Sequence, residues 1–341
     1  MEIFCFLLLP AIISVASGLA LRRFLKSSAG PPAAQRKLLR LLLGNALVLL
    51  FLAALLFLAG ETYFRSSEQT DGGAVTRASR RWYKRYYHEN TQHFRDNVDY
   101  QLALLPGKRR ITFCGDSFTV GWGVKNVEDR FANIIRKNNP QWDIQVQALE
   151  GLSTQEELKN LLRVHAMGCQ FDVLVLVYVP NDAEDLVVDD LFMETSQAPW
   201  LVRHSDFINT MYYRIKTGYD PNRQAYLKCY QSPLWEQHTN DLTTLRNFVQ
   251  STGARLMVVT FPFINAPLDQ TYQFRFAHQK LAEFWRQIGV PHLDLLPIYE
   301  KFSPQQLRVN RFDAHPNEFA HQLAANAIQK FLRENVPGVV R

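Results

Sequence analysis

"FDVLVLVYV", residues 171–179, is nearly continuous in apolar character. A strand with one face in water alternates apolar and polar residues, whereas an unbroken run of this length fits a strand covered on both faces. Working outward, "RITFCG" (110–115), "WDIQVQAL" (142–149), "ARLMVVTFP" (254–262) and "PHLDLL" (291–296) read as further strands. Between and after them lie the helical patterns "EDRFANIIRKN" (128–138), "STQEELKNLLRVHAM" (153–167), "TNDLTTLRNFVQSTG" (239–253), "FRFAHQKLAEFWRQIG" (274–289) and "NEFAHQLAANAIQKFLREN" (317–335). Ser153 followed by Glu156 marks a helix start, because the two side chains can satisfy each other's backbone N–H groups. Strands alternating with helices predict parallel strands in an α/β layered fold, with crossover helices on both faces.

The first part of the 341-residue chain has another character. Residues 3–21 and 41–60 carry no charge, and each run is long enough to cross a bilayer as a helix. A cleaved signal peptide would open with basic residues, but only Glu2 precedes the first run. The connection holds Arg22, Arg23, Lys26, Arg36, Lys37 and Arg40. Short loops rich in Lys and Arg stay cytoplasmic, so the expected topology puts the N-terminus and the large C-terminal domain outside the cytoplasm. That loop also accounts for much of the net charge of +6, so the charge does not call for a nucleic-acid partner. Residues 65–107 read as a juxtamembrane linker, and its basic, aromatic cluster at 77–95 suits either solvent or contact with anionic lipid head groups or a polysaccharide. Residues 186–237, rich in Trp, Tyr and Phe, interrupt the domain at 108–341 as either a lid or a structural elaboration. Cys5, Cys114, Cys169 and Cys229 sit in or beside apolar segments, which favours buried thiols over a disulfide framework. No CxxC, HExxH or similar metal-binding spacing occurs.

In an open parallel sheet, ligands bind beyond the carboxyl ends of the strands. Ser117, in "GDSFTVGWG", follows the first strand; Gly151 follows the second; Asn181 and Asp182 follow the third. Asp313 and His315, in "DAHPNEFAH", lie on the approach to the last helix. A serine hydroxyl becomes a nucleophile when a histidine takes its proton, and a carboxylate orients that histidine. Ser117, His315 and Asp313 supply these types. The N–H groups of Ser117 and Gly151 and the side-chain amide of Asn181 are candidate donors for the oxyanion. Each motif alone is weak. Their order on an alternating α/β pattern is what gives them weight.

Over about residues 108–335 this arrangement resembles the SGNH (GDSL-type) hydrolases. "GDSFTVGWGV" is similar to the family's first block, Gly151 to the glycine of the second, Asn181 in "PND" to the asparagine of the third, and Asp313 with His315 to the last. The resemblance implies a flavodoxin-like three-layer α/β/α domain, with Ser117, His315 and Asp313 as the triad and Ser117, Gly151 and Asn181 as the oxyanion hole. It implies no metal and no organic cofactor. Two positions depart from the pattern. Val179 and Pro180 precede Asn181 where the family has glycine, and Asp313 stands two residues before His315 instead of three. The function implied is a membrane-anchored, extracytoplasmic serine esterase acting on an O-acylated envelope carbohydrate or a lipid ester. The alternatives are an acyltransferase to polysaccharide using the same triad, or a catalytically silent binding module.

Overall fold

The computed structural model describes residues 2–26, 34–72, 75–183, 186, 198–218 and 222–336. Residues 1, 27–33, 73–74, 184–185 and 337–341 lie outside the described residues, as do 187–197 and 219–221 of the aromatic insertion. The chain forms two compact units.

The smaller unit is built on α1 (Leu9–Lys26) and α2 (Ala34–Ser66). The stretches Phe4–Lys26 and Lys37–Ser66 are long and apolar enough to cross a membrane. Small residues let the two helices approach. A Cβ on Gly18 would lie 3.2 Å from the Phe51 ring, and one on Gly44 would lie 3.0 Å from the Phe24 ring. As the first partner number rises the second falls, so the helices run antiparallel. Leu42, Leu49 and Leu56 face outward, each more than half exposed. The described part of the aromatic stretch at 200–218 is helical, although its sequence shows no clear period. Helix Asp206–Gly218 packs on α2, and Glu61 explains how. The buried Glu61 carboxylate accepts from Ser205 Oγ at 2.8 Å and from the backbone N–H groups of Asp206 and Phe207 at 3.2 and 3.0 Å. It thereby satisfies donors that the start of a helix leaves open.

The larger unit contains a five-stranded parallel sheet. Its strands are β1 (Arg109–Gly115), β2 (Trp142–Ala148), β3 (Val173–Tyr178), β4 (Arg255–Thr260) and β5 (His292–Asp294), in the order β2-β1-β3-β4-β5. This is the flavodoxin-like doubly wound order. All six residues of β3 are buried, as the apolar run predicts. Helix Thr154–Ala166 meets helix Leu234–Ser251 through Gln155 Nε2 and Asp241 Oδ2 at 3.2 Å. Helix Phe131–Asn138 meets helix Glu318–Asn335 at the other face, where Asn139 donates to Gln329 at 3.0 Å. Ser153 and Glu156 form the expected reciprocal cap. A short antiparallel pair, β6 (Arg308–Asn310) with β7 (Asp313–Pro316), replaces the loop expected before the last helix.

The linker expected at 65–107 needs correction. Here α2 runs on to Ser66, and α3 (Arg77–Tyr86) occupies the basic cluster. Trp82, Phe94 and Arg95 are each almost fully buried. Arg95 donates to the carbonyls of Gly121 and Val124 at 2.5 Å each and lies 5.1 Å from the Trp82 ring centroid. Arg110 does similar work further on, reaching Leu102 O at 2.7 Å and Ala103 O at 2.6 Å. A guanidinium offers several donors in one plane, so basic residues here bind the chain's own carbonyls.

Candidate active site

The sheet register assembles the site. Gly115 pairs with Ala148 on one side and Val177 on the other. Ser117, Gly151 and Asn181 lie only a few residues beyond these three, so they emerge at one edge. Gly115 is required by close approach. A Cβ there would stand 2.2 Å from Thr119 Oγ1 and 2.7 Å from the carbonyl of Val177. Asp116 then caps the short helix α4 (Ser117–Val120), its side chain accepting from Phe118 N at 2.9 Å. Ser117 is thus held at a helix start, where N–H groups have no acceptor within the helix.

His315 Nε2 lies 2.7 Å from Ser117 Oγ across 198 positions of sequence. On the other side of the ring, His315 Nδ1 is 2.6 Å from Asp313 Oδ1. A carboxylate can only accept, so the proton belongs on Nδ1, and Nε2 is free to accept from the Ser117 hydroxyl. The short Asp-x-His spacing works because β7 is extended, which puts residues two apart on one face, and the Asp313 side chain reaches forward along its own strand. It also accepts the backbone N–H of His315 at 3.1 Å. The imidazole packs against Phe118 and Trp122, with ring centroids 5.2 and 6.4 Å away.

Burial alone would raise Asp313, but the charge and hydrogen bonds of His315, with a bond from Thr70, hold it below the ordinary carboxylate range. Burial alone would lower His315, yet the neighbouring Asp313 charge, helped by Asp116 and Glu150, raises it above an ordinary imidazole. Asp116, fully buried, is itself pushed up by desolvation.

Gly151, just past β2, adopts a left-handed φ of 68°. The Asn181 amide donates to Asp116 Oδ2 at 3.2 Å, which fixes its orientation. No glycine is needed ahead of Asn181. The Asp182 carboxylate accepts the Val179 N–H at 2.9 Å, and Asp182 N donates to Val179 O at 2.9 Å, closing the turn. Thr70 was not foreseen as part of the site. Its hydroxyl donates to Asp313 Oδ2 from 243 positions away, and a lone threonine in a polar stretch gives no signal of this. The four cysteines are all free thiols, three of them buried. Among the described residues no cluster of His, Cys, Asp or Glu is arranged to hold a metal ion.

This arrangement can activate a hydroxyl, hold the resulting imidazolium and meet a developing negative charge. No protein-family model matches the chain, and no curated protein matches it. Several solved structures are similar to it. TesA is 11% identical over 66% of this chain and 99% of its own, with a TM-score of 0.44. A member of the lipolytic protein G-D-S-L family from Veillonella parvula is 13% identical over 68% of this chain and 100% of its own, with a TM-score of 0.42. The acetyl xylan esterase AlAXEase is 12% identical over 65% of this chain and 98% of its own, with a TM-score of 0.41.

Proposed function

We propose that this chain is a membrane-anchored serine ester hydrolase of the SGNH type. The observation that carries the reading is the unbroken relay Ser117–His315–Asp313, with spacings of 2.7 and 2.6 Å. In the reaction, Ser117 Oγ attacks the ester carbonyl carbon while His315 Nε2 takes its proton. Asp313 keeps the imidazole oriented and balances its charge. The carbonyl oxygen, now negative, receives hydrogen bonds from Ser117 N, Gly151 N and the Asn181 amide. When the tetrahedral intermediate collapses, the C–O bond breaks and His315 returns the proton to the leaving alcohol. Water, deprotonated by His315, then attacks the acyl carbon; the bond to Ser117 Oγ breaks, His315 returns the proton to that oxygen, and the acid leaves. No metal or organic cofactor takes part in these steps.

The substrate is an O-acylated carbohydrate of the envelope or a lipid ester, with a small acyl group such as acetyl. Half-buried Tyr83, with its ring 6.1 Å from Trp122, lends support to a sugar beside the site, since aromatic faces suit sugar rings. The helices α1 and α2 anchor the chain in the cell membrane. The basic connection between them supports an extracytoplasmic, periplasmic larger unit. A sugar hydroxyl in place of water would make the same acyl-enzyme a transferase.

The test is hydrolysis of p-nitrophenyl acetate by the full chain in detergent. The wild type is expected to release p-nitrophenol, and Ser117→Ala to fall to background. Equal activity in the two would refute the reading.

A further inference from the structure

We propose that Thr70 is a positioning residue of the catalytic relay, holding the carboxylate of Asp313 in place. This rests on the hydrolase reading above. Asp313 has two carboxylate oxygens. Oδ1 is occupied by His315, through Nδ1 at 2.6 Å and the backbone N–H at 3.1 Å. Oδ2 accepts the hydroxyl of Thr70. With Thr70 in place, both oxygens of a carboxylate that is 1% exposed are engaged, and its plane is fixed. Thr70 is itself 1% exposed, so water does not stand in for its hydroxyl.

Thr70 is also held from behind. Asn310 Nδ2, on β6, donates to the Thr70 carbonyl at 2.9 Å. Since β6 pairs with β7, where Asn310 is opposite Asp313, one hairpin grips the threonine backbone while receiving its hydroxyl. In sequence Thr70 stands four residues past Ser66, the last residue of α2. By contact it groups with the larger unit, although Gln69 before it groups with the smaller. A threonine that served only to cover surface would not need a donor aimed at the catalytic acid and a separate tether on its carbonyl.

Two effects follow from removing the hydroxyl. Asp313 loses a donor that fixes its rotation, so His315 is less well oriented and kcat falls. The carboxylate also keeps more of its charge for His315, so the imidazolium persists to higher pH. The experiment uses the full chain in detergent, with p-nitrophenyl acetate as probe and Ser117→Ala as the blank. Thr70→Val, which keeps the shape, is expected to lose about tenfold in kcat with KM unchanged, the size of one hydrogen bond to a charged group. The acid limb of its pH–rate profile is expected to move to higher pH. Thr70→Ser restores both, and thermal unfolding of the three proteins reports the folded fraction. A Thr70→Val enzyme with unchanged kcat and profile overturns the role of Thr70 and leaves the hydrolase reading standing. A loss that follows the folded fraction, with no shift in profile, overturns it as well. Full activity in Ser117→Ala removes the reading on which it rests.

Discussion

Replacing Asp313 by asparagine perturbs the relay with almost no change of shape. In the wild type the carboxylate accepts from His315 Nδ1 at 2.6 Å, which places the imidazole proton on Nδ1 and leaves Nε2 to accept from Ser117. An asparagine amide in the same place can donate to Nδ1. The favoured tautomer then carries its proton on Nε2, aimed at Ser117 Oγ, and that nitrogen can no longer serve as the base. The imidazolium formed during attack also loses its counter-charge. The combined loss in kcat is expected to be about 10,000-fold, the size seen when a triad carboxylate becomes an amide. That corresponds to about 5 kcal/mol of transition-state stabilisation. KM should move little, because Asp313 is buried beneath the imidazole and away from the ester. The assay is p-nitrophenyl acetate hydrolysis by Asp313→Asn and the wild type, with thermal unfolding as the control for folding. An Asp313→Asn enzyme retaining more than a tenth of wild-type kcat would show that the carboxylate does not set the tautomer.

Other expectations follow from the same structure. His315 is raised above an ordinary imidazole by Asp313, Asp116 and Glu150, and the base must be neutral, so kcat/KM should rise with pH and reach half its maximum above pH ~6.5. A half-maximum well below that value in a pH–rate profile would contradict the assignment. For stability the signs are opposite: the raised His315 contributes below about pH 6.5 and loses its contribution as pH rises through its folded value, whereas the lowered Asp313 contributes above about pH 3.9 and loses it as pH falls. Gly115→Ala would put a methyl 2.7 Å from the fixed Val177 carbonyl and should cost about 1–3 kcal/mol of stability, as overpacking does. An unchanged thermal unfolding temperature would mean that β1 and β3 are looser at that point than the structure has them.

Much of this was legible in the sequence, for reasons that can be named. β3 is buried on both faces, so its apolar run needed no partner to be recognised, and the Ser153–Glu156 cap is a local contact within one turn. Ser117, Asn181 and His315 were readable because each follows or precedes a regular element whose end the pattern marks. Thr70 was not, since its partner Asp313 lies 243 positions away and nothing near it in sequence hints at the bond. The stretch containing α3 misled for a different reason. Its arginines read as solvated, but Arg95 spends its donors on the carbonyls of Gly121 and Val124 beneath Trp82. The two-residue spacing of Asp313 and His315 looked like a departure because the sequence alone does not reveal that 313–316 is a strand. Of the two glycines in "GWG", Gly121 ends α4 in the left-handed region, and a Cβ on Gly123 would stand 2.5 Å from Val309.

The central claim is that Ser117 is the nucleophile, and covalent capture tests it most directly. A fluorophosphonate reacts with an activated serine by forming an O–P bond and expelling fluoride, while the serine proton leaves through the base. Treated with such a reagent, the full chain should gain the mass of a single adduct, and digestion should locate it on the peptide containing Ser117. The adduct should vanish in Ser117→Ala and in His315→Ala. No adduct on the folded wild type, or an adduct that persists in Ser117→Ala, would contradict the account.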